Sequence, residues 1–361
     1  MGSETRHPCA PLLCRALSLL LTGTLASCGG DGGNPTAPEE EMPPPARAVA
    51  DGRLLFVRAT RGAADALVLI REDSVGEVVL SGPDWHPARP LWSPDGGRIA
   101  FQSDRGGIDD VWVVGTAGGE PINVSHDPQF AGDAAWSPDG THIAFASLGH
   151  GNGDIMIVPA VGGVVRNLTN DPAAESQPAW SPDAARVVFT RYQAGEEELW
   201  RMNAAGGGAQ RLTDSPGLDR EPRWSPDGRW IVFTSDRSGE PRLWIMEADG
   251  SGQRQLAALD GVEFGATWSP DGARIVFQSD ATGDFEIYVV NADGTGLLNL
   301  TNDGADDVSP SWSHDGLRVA FASDRDGSSD VYVMDTDGGN VRRMTDHEAR
   351  DVSPRFQPRP P

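Results

Sequence analysis

The sequence predicts an all-β protein: a β-propeller of seven four-stranded blades, with six as the alternative, closed by its C-terminal strand. Three observations carry this reading. The stretch Trp92-Ser93-Pro94-Asp95-Gly96, followed by Arg98-Ile99-Ala100-Phe101, recurs at a fixed step. Trp92, Trp136, Trp180, Trp224, Trp268 and Trp312 stand 44 residues apart, and one more step lands on Phe356. A period in the forties with strand-like runs inside it marks units that cannot bury their faces alone and stack on their neighbours. Finally, the two ends are complementary. Arg53 to Val57, Ala66 to Ile70 and Glu77 to Leu80 supply three strands with no inner strand ahead of them, and Val352 to Gln357 supplies an inner strand with nothing after it. Together they complete a seventh blade, and the ring then has no free edge.

One unit shows the parts. Ser309 to Trp312 reads as a short inner strand and Ser313-His314-Asp315-Gly316 as a turn. Arg318 to Phe321 is a second strand and Ser323-Asp324-Arg325-Asp326-Gly327 a loop. Asp330 to Met334 is a third strand, Asp337-Gly338-Gly339 a tight turn, and Val341 to Thr345 the outer strand. Strand residues are β-branched or aromatic at alternate positions, and Asp-Gly pairs suit hairpin turns because glycine takes positive φ at little cost. Trp112, Trp200, Trp244, Tyr288 and Tyr332 share one slot of the third strand and read as packing between blades.

At the N-terminus, Arg6 and Arg15 precede an apolar run, Ala16 to Ala26, too short to span a bilayer. It ends Leu25-Ala26-Ser27-Cys28, which resembles a bacterial lipobox. The resemblance implies that residues 1–27 are a signal peptide and that Cys28 is lipidated and becomes the first residue. Gly29, not aspartate, follows the cysteine, a pattern that resembles sorting to the outer membrane, facing the periplasm. Cys9 and Cys14 leave with the signal, so no disulfide is expected in the mature chain. Residues 28–49, rich in glycine, proline and glutamate, read as a flexible tether, and 50–358 as the propeller.

Composition excludes several functions. All 29 basic residues are arginine, so Schiff-base lysine chemistry and the lysine-bearing phosphate loop are ruled out. A net charge of −24 argues against nucleic acid or an anionic membrane surface as partner and favours cationic surfaces or metal ions. No G-x-S-x-G nucleophile elbow occurs, and His86, His126, His142, His150, His314 and His347 occupy unrelated repeat positions. The Asn-x-Ser/Thr triplets at Asn123, Asn167 and Asn299 arise from the outer-strand repeat.

The pattern W-S-P-D-G-x-x-I-x-F-x-S-D-R-x-G looks like the repeat of the TolB-type propellers, a WD-like family, and spans about 310 residues of this chain. The resemblance implies the propeller fold. Full TolB proteins also carry an α/β domain ahead of the propeller, where this chain has the tether; TolB itself has six blades.

Register singles out one candidate site. Five positions before the inner aromatic residue stand Glu175, Asp219, Glu263, Asp307 and Asp351, with Ala131 breaking the series. These carboxylates are expected to ring one mouth of the channel, where they focus negative potential and could hold a calcium ion, another cation or a basic peptide. Neutralising three of them is expected to leave folding intact or improved. The loop aspartates Asp104, Asp236, Asp280 and Asp324 are expected to stabilise turns. The function expected is a non-enzymatic scaffold, lipid-anchored in the cell envelope, with no resident cofactor. It is expected to be a monomer that binds a protein partner presenting a basic segment. The alternative is a hydrolase, lyase or ligand-binding module with a cation in the channel.

Overall fold

The computed structural model describes residues 52–358, apart from 61–64, 74–75 and 150. The signal segment, Cys28 and the tether lie outside the described residues. Seven antiparallel four-stranded sheets make up the rest, and each inner strand touches the next until the circle closes.

Blade 1 is the composite. Arg350–Phe356 pairs beside Arg53–Ala59, which pairs with Ala66–Arg71 and then Val78–Val79. The register runs from Leu54 opposite Phe356 to Ala59 opposite Arg350, so the C-terminal strand closes the ring as its sequence predicts. Blades 2 to 7 begin with inner strands Ala88–Trp92, Ala131–Trp136, Ala174–Trp180, Asp219–Trp224, Glu263–Trp268 and Asp307–Trp312.

The core lies between blades. Phe56, Phe101, Phe145, Phe189, Phe233, Phe277 and Phe321 occupy the same slot of the second strand, and every one is fully buried. Val276 and Val289 of blade 6 pack with Phe321 and Tyr332 of blade 7, and each other interface repeats the scheme. Such non-directional burial is the main stabilising term.

Each inner tryptophan adds a directional bond. Trp136 Nε1–H donates to the Leu91 carbonyl at 3.3 Å, Trp268 to Arg223 at 3.1 Å and Trp312 to Thr267 at 2.9 Å, always across to the preceding blade. Trp92 reaches the Arg355 carbonyl at 3.1 Å and so spans the closure. Phe356 has no such donor; there the backbone N–H of Phe356 bonds Ser311 Oγ at 3.3 Å.

The W-S-P-D-G turn explains itself in hydrogen bonds. Ser93 Oγ donates to Asp95 at 2.5 Å, and Asp95 also accepts the Gly97 N–H at 3.0 Å. These bonds favour the carboxylate and hold Asp95 below its ordinary range; the same turn holds Asp139 down at about 2. Gly96 takes φ 65°, which only glycine adopts without strain, yet Ala184 fills that place in blade 4 at φ 57°.

A bulge interrupts every inner strand three residues before its aromatic. Arg89, Asp133, Gln177, Glu221, Ser309 and Ser353 take φ between 49° and 59° there, and Gly265 takes 67°. A left-handed residue at a fixed point in each inner strand shifts the register and bends the strand.

Candidate functional site

In a meander blade, the loop between blades and the loop between second and third strands fall on one face. Backbone bonds tie them together. Asp236 accepts the Leu218 N–H at 2.6 Å, Asp280 the Val262 N–H at 2.7 Å and Asp324 the Asp306 N–H at 3.0 Å. The expected turn role of these aspartates therefore extends to clamping two loops, while Asp104 pairs with His86 Nδ1 at 2.8 Å.

The in-register carboxylates sit just beneath this face. Glu175 is 2% exposed and Asp219, Glu263, Asp307 and Asp351 are 0% exposed, so the structure corrects the expectation of an open ring at the mouth. The backbone N–H of Glu175, Glu263, Asp307 and Asp351 is anchored to the preceding blade, as in Asp307 N–H to the Phe285 carbonyl at 2.6 Å, and this holds the side chain at the interface. The same position in blade 2 is Pro87, a second lapse in the series beside Ala131.

Four of the five have an arginine from their own blade, on the second strand (Arg191, Arg58) or in the loop just after it (Arg237, Arg325). Arg191 Nε lies 2.8 Å from Glu175, Arg237 2.7 Å from Asp219, Arg325 2.9 Å from Asp307 and Arg58 2.8 Å from Asp351. These guanidiniums in turn stack on aromatic rings: Arg191 lies 4.2 Å from the Trp200 centroid, Arg237 4.6 Å from Trp244 and Arg325 4.8 Å from Tyr332. The third-strand aromatics are thus packing residues, as expected, and Trp112, Trp200, Trp244 and Tyr332 also carry a cation–π contact.

Sequence reasoning missed these arginines. The signal was present, because Arg237 and Arg325 each follow their acid by 18 residues within the repeated Ser-Asp-Arg. Charges that answer one another beneath the surface do not repel as a ring would. Removing three of the paired acids would strand three arginines, which argues against the expectation of unharmed folding.

Opposite each pair, the preceding blade contributes a second acid and a hydroxyl. Asp154 accepts from Thr169 at 3.2 Å and Asp330 from Thr345 at 3.1 Å; Glu198 accepts from Thr213 and Glu286 from Thr301. Glu286, Asp303 and Asp307 converge, with one oxygen of each within 4.8 Å of the others. Arg325 occupies the cation's position there, 2.7 Å from Asp303 and 2.9 Å from Asp307.

Glu263 departs from the pattern. Ala281 replaces the arginine of its own blade, and in blade 5 Arg242 and Ala257 replace the second acid and the hydroxyl. Glu263 instead accepts the Leu243 N–H at 2.7 Å, the bond that a threonine hydroxyl accepts at sister interfaces. Burial pushes its carboxyl up to about 7, against the pull of two backbone N–H groups and of Arg242.

Fold and site together define a closed seven-bladed propeller whose loop face is underpinned by buried acid–arginine pairs. Residues 133–258 and 250–360 match the TolB beta propeller domain, and the chain belongs to that family. It is similar to a putative TolB from Agrobacterium tumefaciens, at 25% identity and TM-score 0.52 over 64% of this chain and 86% of that one. It is also similar to TolB from Acinetobacter baumannii, at 22% identity and TM-score 0.55 over 84% and 82%. An oligogalacturonate lyase in complex with manganese shares the fold at 17% identity and TM-score 0.62, covering 83% of this chain and 87% of that one. No curated protein matches the sequence.

Proposed function

We propose that this protein is a non-enzymatic TolB-like scaffold, tethered through Cys28 to the outer membrane and facing the periplasm, where its loop face binds a protein partner through a basic segment. One observation carries the reading. With the in-register acids neutralised beneath the surface, the loop face still exposes Asp104, Asp214, Asp260, Asp284, Asp324 and Asp346. Exposed like charges on one face give long-range attraction for a cationic partner and a salt-dependent association rate.

The test is a pulldown from cell-envelope extract, with the parent compared against Asp214→Asn/Asp260→Asn/Asp346→Asn. A partner that salt releases from the parent, and that the triple variant fails to retain, supports the proposal; equal retention by both refutes it. The convergence of Glu286, Asp303 and Asp307 favours a second reading in which a cation displaces Arg325. A rise in Tm with added calcium or manganese, lost in Asp303→Asn, would replace the first reading with this one.

A further inference from the structure

On the face opposite the loop face, the W-S-P-D-G turns of adjacent blades stand side by side with a groove between each pair. Three of these grooves are filled by the chain itself. Gln357 Nε2–H donates to the Gly96 carbonyl at 2.8 Å, Arg98 to the Gly140 carbonyl at 2.7 Å and Arg274 to the Gly316 carbonyl at 3.3 Å. Arg98 and Arg274 also lie over the inner tryptophan of the next blade, each with its guanidinium carbon 5.0 Å from the ring centroid of Trp136 or Trp312. A glycine carbonyl and an indole face together make a seat for a guanidinium.

Between blades 4 and 5 no side chain among the described residues takes this seat. The arginine in register with Arg98 and Arg274 is Arg186, which is exposed and bonds only through its backbone, to Ser181 Oγ. A cavity of about 320 Å³ opens there, lined by Trp224, Gly228, the turn acids Asp183 and Asp227, and Arg186. In the register position of Val113 and Val289, blade 4 has Arg201, which donates to the Ala248 carbonyl at 2.6 Å. Burial first, then the charge of Arg186, lowers the Arg201 guanidinium, and the same repulsion disfavours a fold of Arg186 back onto Trp224.

The cavity presents both signs of charge. Asp183 and Asp227 each use Oδ1 within their own turn, accepting from Ser181 Oγ and Ser225 Oγ at 2.5 Å and from a backbone N–H at 3.0 Å. Oδ2 of each has no partner among the described residues. Arg186, on the same wall as Asp183, keeps its whole donor fork for a ligand.

We propose that this groove binds arginine with a free carboxylate, either as the amino acid or as the C-terminal residue of a peptide. The ligand's guanidinium takes the place that Arg98 and Arg274 fill at the sister grooves, over the Trp224 indole and donating to the Gly228 carbonyl, with Asp183 and Asp227 beside it. Its carboxylate meets the fork of Arg186 bidentately. The cavity stands at the small end of ligand pockets, which run from about 300 to 1,000 Å³, in keeping with one residue as the guest. This site is on the other face from the loop aspartates and does not depend on their partner.

The experiment follows the indole N–H resonances of the full chain by NMR during titration with L-arginine, Nα-acetyl-L-arginine, agmatine and citrulline at constant ionic strength. The Trp224 resonance, identified by its loss in Trp224→Phe, is expected to shift saturably with the first two, while those of Trp136 and Trp312, already covered by Arg98 and Arg274, stay in place. Tighter binding of L-arginine identifies the amino acid as ligand, and tighter binding of Nα-acetyl-L-arginine a peptide C-terminus. Agmatine, which lacks the carboxylate, should bind several-fold more weakly, and citrulline, which lacks the cation, weaker by about tenfold or more. Arg186→Gln, at an exposed position, should weaken L-arginine binding several-fold without disturbing the fold. A Trp224 resonance that neither arginine compound shifts saturably overturns the proposal, as does citrulline or agmatine binding as tightly as L-arginine, or binding that Arg186→Gln leaves unaltered.

Discussion

The interface between blades 6 and 7 and the one between blades 5 and 6 solve the same problem with the charges rearranged. At the first, Asp307 meets Arg325 of its own blade, and Glu286 of the preceding blade accepts from Thr301. At the second, Glu263 has Ala281 where that arginine would be, and the arginine, Arg242, stands on the preceding blade instead. Burial raises both acids. At Asp307 a contacting guanidinium and the Ser323 hydroxyl oppose the rise, whereas Glu263 has only backbone N–H groups and a more distant Arg242. The difference teaches that what repeats in this propeller is a buried polar layer, not a particular ion pair. A buried acid persists there either by finding a cation in contact or by taking up a proton.

The largest expected effect comes from stripping a pair of its cation. Arg237→Met leaves Asp219 fully buried and uncompensated, and should cost about 3–5 kcal/mol in urea unfolding. Adding Asp219→Asn should restore most of that loss. A single-variant effect below about 1 kcal/mol would mean that the contact ion pairs contribute no more than the Glu263 arrangement.

A smaller effect, of the opposite sign, is expected at Glu263. Its folded pKa of about 7 lies above the ordinary value of 4.5, so between those pH values the native state holds more protons than the unfolded chain. Stability from this group is therefore full below pH 4.5 and falls as the pH rises to 7. Glu263→Gln should flatten that decline and, at pH 8, gain on the order of 1–2 kcal/mol over the parent. Unfolding curves at pH 5 and pH 8 measure it, and an unchanged difference between the two pH values would place the charged form of Glu263 at no disadvantage.

The smallest effect tests what the two interfaces share. Trp268→Phe and Trp312→Phe each remove one indole bond to the preceding blade and should each cost about 1 kcal/mol. Equal losses confine the difference between the interfaces to the charged layer; a clearly larger loss at one would extend it to the tryptophan.

Much of this architecture was legible in the residues. Tryptophans at a constant step counted six blades, and three orphan strands before Trp92 matched one orphan strand after Thr345 to make the seventh. Turn chemistry was legible because it is local: Ser93, Asp95 and Gly97 bond one another within five residues. The acids were found by register, but their surroundings were not. Whether Asp219 faces water or Arg237 depends on a loop 18 residues away and on how the blade folds around it, and the one-dimensional period is blind to both.

By itself, then, the sequence determined the fold class, the blade number, the closure and the absence of lysine chemistry, because periodic burial and turn bonds act over short stretches that repeat. Only the tertiary structure decided that the in-register carboxylates lie buried under the loop face, four of the five against an arginine. The physical reason is that a charge is set by what surrounds it in space: 293 residues of chain separate Arg58 from Asp351, yet ring closure brings them to 2.8 Å.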